Sequence, residues 1–276
     1  MKEKTIVASD SVVLKCAVSE ASPDYPWVAL ILPFGLELQH ARAFFDFFGE
    51  YFNIFSWQAR LILDDDGADL AEGALNAERH VQDLFDIMSE LSLAQVIAVG
   101  YCSGAGISLL AANHKPECFS HLVLVNGEYT LLNKEDCMTQ FGSDIDKILS
   151  VAAQNPDKAA LVFEKIKGSI KFAGKDLPPG LEVPYSNSRF LYRHGVNYLA
   201  YKAFDFEALA SNIKHNTYML AGGRDEQSNI NSSQTIKSLI EKAELHIDPD
   251  GDHYEILRPE SKALVNIWNN LIAVEA

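Results

Sequence analysis

At 276 residues and 48% hydrophobic composition, the chain suffices for one large domain, or a domain with a substantial insertion, around its own core. Its net charge of −15 argues against nucleic acid as a partner, since phosphate binding relies on clustered basic side chains. Four cysteines, at 16, 102, 118 and 137, form no CxxC pair and no Cys/His cluster has metal-ligand spacing, so no disulfide framework, metal site or cofactor is expected. A charged N-terminus and the lack of any run of about 18 apolar residues predict a cytoplasmic chain without a membrane span.

In chain order, residues 5–8 and 12–18 alternate and read as an antiparallel pair. The continuous apolar run 28–32, closed by Pro33-Phe34-Gly35, predicts a strand buried on both faces. Ala41, Phe44, Phe45, Phe48 and Phe52 share 3- and 4-residue spacing and predict a helix over 41–52 whose phenylalanines are core, followed by a strand over 58–63. The acidic run Asp64-Asp65-Asp66-Gly67 reads as a solvated turn, not a cation site. A second helix carries Val81, Leu84, Phe85, Met88 and Leu91 on one face, and His80 beside them reads as a satisfied face residue. The run 96–99 is the next strand. This βαβαβ alternation implies an α/β fold with a mostly parallel sheet covered by helices on both sides.

Residues 103–113 continue as a helix and 121–125 as a strand. From about 132 to 214 the rhythm breaks into helical segments, which reads as a helical cap inserted between a first core part, 1–131, and a second, 215–276. Strands resume at 217–220 and 245–247, and a last helix has Pro259 in its first turn, with Leu264, Ile267, Trp268 and Leu271 facing inward.

The sharpest chemical signal is Gly100-Tyr101-Cys102-Ser103-Gly104 directly after a buried strand. A nucleophile held on a tight strand-to-helix turn needs small residues two before and two after it, and this pattern meets that need around Cys102. Centring the turn on Ser103 would put Tyr101 at a small position. The plain alternative is a buried structural cysteine. With Cys102 as nucleophile, the Ser103 N–H falls where an oxyanion donor is wanted, and the helix N-terminus favours the thiolate. Downstream, a glycine turn delivers Asp225 to a strand end, and His253 lies in a loop before the last helix. The order nucleophile, acid, base suits a triad, with Glu226, Asp252 or Glu128 as alternative acids. Asn126-Gly127-Glu128 ends a parallel strand on the same edge, where pocket lining is plausible.

These residues resemble the α/β-hydrolase superfamily over roughly 5–128 and 215–275. Gly100-Tyr101-Cys102-Ser103-Gly104 resembles the elbow of dienelactone hydrolases, which use a cysteine. Pro33-Phe34-Gly35-Leu36-Glu37-Leu38-Gln39-His40 is more similar to the oxyanion turn of acyl-carrier-protein thioesterases of the bioluminescence type, which implies the Leu36 N–H as second oxyanion donor. No His-Gly precedes that turn, and the cap is longer than a dienelactone hydrolase needs. The favoured reading is an acyl-thioester hydrolase or acyltransferase with a Cys102 acyl-enzyme, in lipid or secondary metabolism, acting on a thioester of an acyl carrier protein or coenzyme A. A lactone or ester hydrolase of the dienelactone type and a non-catalytic binding protein are the alternatives. Phe34, Tyr101, Asn126 and Tyr192 are candidate substrate contacts, and the cap's Phe163, Ile166, Ile170, Phe172, Leu191, Tyr198 and Tyr201 either line an acyl pocket or pack the cap. Between 158 and 214, nine Lys/Arg face five acids, a local +4 against −19 elsewhere, which suggests a dock for an acidic carrier protein or a coenzyme phosphate.

Overall fold

The computed structural model describes all residues except 65–69, 72, 132–134, 173, 175 and 276, with the side chains of 135 and 273–275 also left aside. Most of the acidic run at 64–67, the first residues of the expected cap and Lys175 of the basic segment therefore lie outside the described residues. Among the described residues, eight strands form one sheet in the order β1-β2-β4-β3-β5-β6-β7-β8. β1 (Lys2–Val7) and β2 (Val13–Ser19) pair antiparallel, and β2 continues antiparallel onto β4 (Asn53–Trp57). From β4 the sheet is parallel through β3 (Trp27–Ile31), β5 (Val96–Tyr101), β6 (Phe119–Val125), β7 (Asn216–Gly222) and β8 (Ala243–Asp248). β5 is central and buried at every position, as its unbroken apolar run requires.

Helices cover both faces. α1 (Arg42–Phe48) and α9 (Lys262–Glu275) set Phe44, Phe45, Phe48, Leu264, Ile267 and Leu271 against one face. α2 (Ala77–Glu90), α3 (Ser103–His114), α7 (Phe206–Asn212) and α8 (Ile230–Leu239) cover the other. Between β6 and α7, α4 (Gln140–Ala152), α5 (Pro156–Ile166) and α6 (Ser188–Lys202) enclose a small cluster of their own: Leu149, Ala152, Ala159, Leu191 and Tyr198. The cap proper is thus α4 to α6, whereas α7, within the expected 132–214 segment, gives Phe206 and Ala210 to the main core.

Three elements differ from the sequence expectation. The first helix ends at Phe48 with Gly49 as its cap, and the strand is 53–57 instead of 58–63. Leu61 has φ 60°, a left-handed conformation incompatible with a strand. The apolar look of that segment has another cause. Arg60 is buried there, donating two hydrogen bonds to Asp83 (2.8 and 2.5 Å) and two to Asp10 (2.5 and 3.0 Å), and Ile62 is buried in the core. The last helix also begins later than Pro259, with Ser261 Oγ accepting from the Leu264 N–H at 3.3 Å.

Candidate active site

Cys102 sits between β5 and α3 with φ 54° and ψ −121°, a strained backbone for a side chain to adopt. The turn is fixed by the Cys102 N–H donating to the Val125 carbonyl (2.9 Å) and its own carbonyl accepting from Ala105 and Glu128 (3.0 and 3.1 Å). A Cβ on Gly104 would overlap the Ile31 carbonyl, and one on Gly100 would overlap Ser108 and the Gly104 carbonyl. The small-residue spacing therefore does the work expected of it, and it centres on Cys102.

The His253 and Asp225 side chains meet, with Nδ1 to Oδ2 at 2.7 Å and both nearly inaccessible to solvent. Asp225 is itself held: its Oδ1 accepts the backbone N–H groups of Gln227 and Ser228 at 2.7 and 2.8 Å. With Nδ1 donating to a fixed carboxylate, the free lone pair of His253 lies on Nε2. The other carboxylates considered for this place are elsewhere. Asp252 accepts from the Tyr254 N–H and from Arg258, and Glu226 is exposed. Glu128 instead reaches the sulfur, its Oε2 accepting from the Cys102 thiol at 3.6 Å.

Cys102, His253 and Glu128 line one partly enclosed cavity of ≈ 100 Å³. Its apolar wall comes from Phe34 and Leu36 of the core and from Ile145, Leu149, Leu181 and Tyr185 above it. Tyr101 also borders it, with its ring 5.2 Å from that of His253. Of the cap residues named from the sequence, Phe172 and Tyr198 line the cavity. Leu191, Phe163, Ile166 and Tyr192 pack the cap cluster instead. Tyr201 is buried and donates its hydroxyl to the Glu128 carbonyl at 2.6 Å.

Asn126 is not among the lining residues. It holds strand ends together, donating to the carbonyls of Asp252 and His253 (3.1 and 3.0 Å) and accepting from the Gly222 N–H (2.9 Å). The oxyanion turn also differs from expectation. The Leu36 N–H closes a turn onto the Pro33 carbonyl (3.3 Å), whereas the Phe34 N–H reaches Ser103 Oγ at the elbow (3.1 Å). His80 is satisfied, with its Nε2 2.7 Å from Asn197 Oδ1. Sequence reasoning missed His194, a buried cap residue on the cavity whose Nδ1 has no hydrogen-bond partner. α6 packs against α4, α5 and the core together, so no one-sided stripe marks it.

The electrostatics run against the expected thiolate. Burial, followed by the Glu128 and Asp225 carboxylates, pushes the Cys102 thiol well above its ordinary pKa, and the Ser103 N–H opposes this less strongly. Burial likewise raises the Glu128 carboxyl. Among the described residues, no group of three or more His, Cys, Asp or Glu is arranged to hold a metal ion, and no helix is long and apolar enough to cross a membrane.

No protein-family model matches the chain. An L-allo-isoleucyltransferase from Pseudomonas savastanoi pv. glycinea is 27% identical over 239 residues, which span 83% of this chain and 80% of that protein. Among solved structures, a putative lipase from Acinetobacter baumannii AYE superposes with a TM-score of 0.75 at 16% identity, over 99% of this chain and 92% of that one. An esterase from Rhodococcus sp. ECU1013 gives 0.73 at 12% identity, over 99% and 100% of the two chains. The fold is the α/β-hydrolase fold. In this chain the β5–α3 turn carries Cys102, and the loops after β7 and β8 bring Asp225 and His253 to the same edge of the sheet.

Proposed function

We propose that this hydrolase-fold protein is an acyltransferase that carries its acyl group as a thioester on Cys102. The observation that carries the reading is the position of Cys102 on the strained elbow, sharing one cavity with a His253 whose Nδ1 is bound to Asp225. The likeness to an isoleucyltransferase supports transfer over hydrolysis and an aminoacyl group as cargo. The cavity volume of ≈ 100 Å³ supports a short or branched group, since an engineered apolar cavity of about 150 Å³ takes up benzene.

In this reading Cys102 Sγ attacks the carbonyl carbon of the incoming thioester while His253 Nε2 takes the thiol proton. The Ser103 N–H holds the tetrahedral oxyanion, joined in place of Leu36 by the Phe34 N–H as the oxyanion displaces Ser103 Oγ from it. His253 then returns the proton to the leaving thiol. The second half runs in reverse, with His253 deprotonating an acceptor that displaces Cys102. Exchange of one thioester for another is nearly balanced in free energy, so a cysteine keeps the acyl group activated where a serine ester would not. Donor and acceptor are thioesters or thiols of a carrier protein or coenzyme A.

The test is intact-protein mass spectrometry after mixing with short acyl and aminoacyl thioesters, with and without a second thiol. A covalent adduct on Cys102 that passes to the added thiol faster than to water supports transfer. Turnover of lactones or oxygen esters without such an adduct would instead favour the dienelactone-type hydrolase.

A further inference from the structure

The cavity carries one carboxylate, Glu128, whose cationisable neighbour on the same wall is His253, already bound to Asp225. Among the described residues no lysine or arginine lines the cavity, and His194 on its wall is held neutral by burial, its pKa lowered to about 4. The neighbouring carboxylates are spoken for. Asp225 is bound by two backbone N–H groups and His253, and Asp146 by Tyr198 and Lys202. The side chain of Glu128 has the Cys102 thiol as its hydrogen-bond partner. It is also held in place from both sides of its backbone, its N–H on the Cys102 carbonyl (3.1 Å) and its carbonyl under the Tyr201 hydroxyl (2.6 Å).

Next to a sulfur that must become a thiolate, an unpaired carboxylate is a handicap, because like charges oppose each other. The handicap disappears if the substrate brings a positive charge. In an α-aminoacyl group the nitrogen lies about 2.5 Å from the carbonyl carbon by ordinary bond lengths, so a carboxylate oxygen 3.6 Å from the attacking sulfur is within its reach.

Building on the acyl-enzyme reading, we infer that Glu128 is the recognition site for the α-ammonium group of an aminoacyl thioester. The ammonium displaces the thiol as the partner of the carboxylate and neutralises it, which frees the thiol proton to pass to His253 Nε2. A neutral acyl thioester leaves the carboxylate facing the sulfur and reacts slowly. The site thereby selects aminoacyl over plain acyl groups of the same shape, with the alkyl side chain against Ile145, Leu149 and Tyr185.

The experiment compares Cys102 loading, followed by mass spectrometry, from L-isoleucyl and 3-methylpentanoyl thioesters of N-acetylcysteamine, which differ only at the amino group. Wild type is expected to load the isoleucyl thioester faster by roughly tenfold or more, the size expected for a hydrogen bond to a charged group. In Glu128→Gln that ratio is expected to collapse towards unity. Because the variant could fold poorly, inhibition of wild-type loading by L-isoleucinamide and by 3-methylpentanamide is measured in parallel, and the amine-bearing amide is expected to inhibit about tenfold better. Equal loading of both thioesters by wild type, equal inhibition by both amides, or a ratio unchanged in folded Glu128→Gln would overturn the inference while leaving the acyl-enzyme intact. Failure of both thioesters to load Cys102 would overturn the acyl-enzyme reading and this one with it.

Discussion

Asn126 donates its side-chain amide to the main-chain carbonyl of His253 at 3.0 Å, so the end of β6 sets the height of the histidine loop. The same side chain accepts from the Gly222 N–H, and Asn126 itself has φ 45°. Asn126→Ala removes three hydrogen bonds at the junction of β6, β7 and the loop without touching the cavity. It is expected to lower the rate of Cys102 acylation by about 10- to 100-fold with little change in KM, since small displacements of a catalytic group carry costs of that order. Single-turnover kinetics over a substrate series checks this.

Cys102→Ala is expected to abolish adduct formation and turnover while leaving the melting temperature within a few degrees of wild type. Ser103→Ala, which loses a side-chain acceptor for the Phe34 N–H but keeps its own N–H, should retain more than roughly a tenth of the activity. The reverse ranking in a steady-state assay would place the elbow one residue later.

His253→Ala should block acylation outright. Asp225→Asn should be less severe yet cost roughly 10²-fold or more, because the amide can present its N–H to Nδ1 and favour the wrong tautomer. The raised pKa of the Cys102 thiol makes the enzyme more dependent on this pair than a preformed thiolate would be. Burst amplitudes of acyl-enzyme for the two variants give the comparison.

Two buried histidines tie stability to pH. Burial lowers His80 and His194 to about 4 from 6.5, so the folded protein binds fewer protons than the unfolded chain between those values. Their contribution is present above about pH 6.5 and is lost as pH falls towards 4, at about 1.4 kcal/mol per pH unit for each group. Urea unfolding at several pH values across this window should show the decline, and His194→Gln should flatten it.

The basic segment is less available than its charge count suggests. Arg193 is buried and donates to the carbonyls of Leu61 and Asp64 (both 2.8 Å), and Lys202 pairs with Asp146. Lys167 and Lys171 remain at the surface, the former beside Glu164. Changing both to Glu is expected to reduce kcat/KM several-fold for a carrier-protein thioester, more at low salt, and hardly at all for a small neutral thioester. Equal effects on the two substrates would remove docking as the explanation.

What the sequence made legible was local. The β5 run and its glycines specify the elbow because packing at Gly100 and Gly104 is decided within a few residues and one neighbouring strand. Asp225 and His253 could be placed by their order along strand ends. The strand lies at 53–57 and not at 58–63 because the helix stops at its Gly49 cap, whereas Phe52 prolongs the helical spacing of the sequence beyond it. Asn53, polar yet buried, has its reason only in the fold, where its side chain holds the backbone of Ala21, Ser22 and Tyr25. The approach of Glu128 to the sulfur was equally hidden, since it depends on the left-handed backbone at Asn126 and on Tyr201 pressing from a cap helix 73 residues away.

Helix α6 belongs to two cores at once: Leu191 and Tyr198 fill the cap cluster, while Tyr201, ten positions after Leu191, lies in the main core with its hydroxyl on Glu128. The unit open to exchange between relatives is therefore smaller than the insertion. A chimera that imports α4 and α5 alone, with junctions in the loops before Gln140 and after Ile166, would recast part of the cavity roof and leave the Tyr201 anchor of Glu128 native. A transplant reaching to the end of α6 would bring a foreign residue to position 201 and shift Glu128 along with the roof. Recombination libraries aimed at new cargo should therefore place their downstream crossover before Ser188.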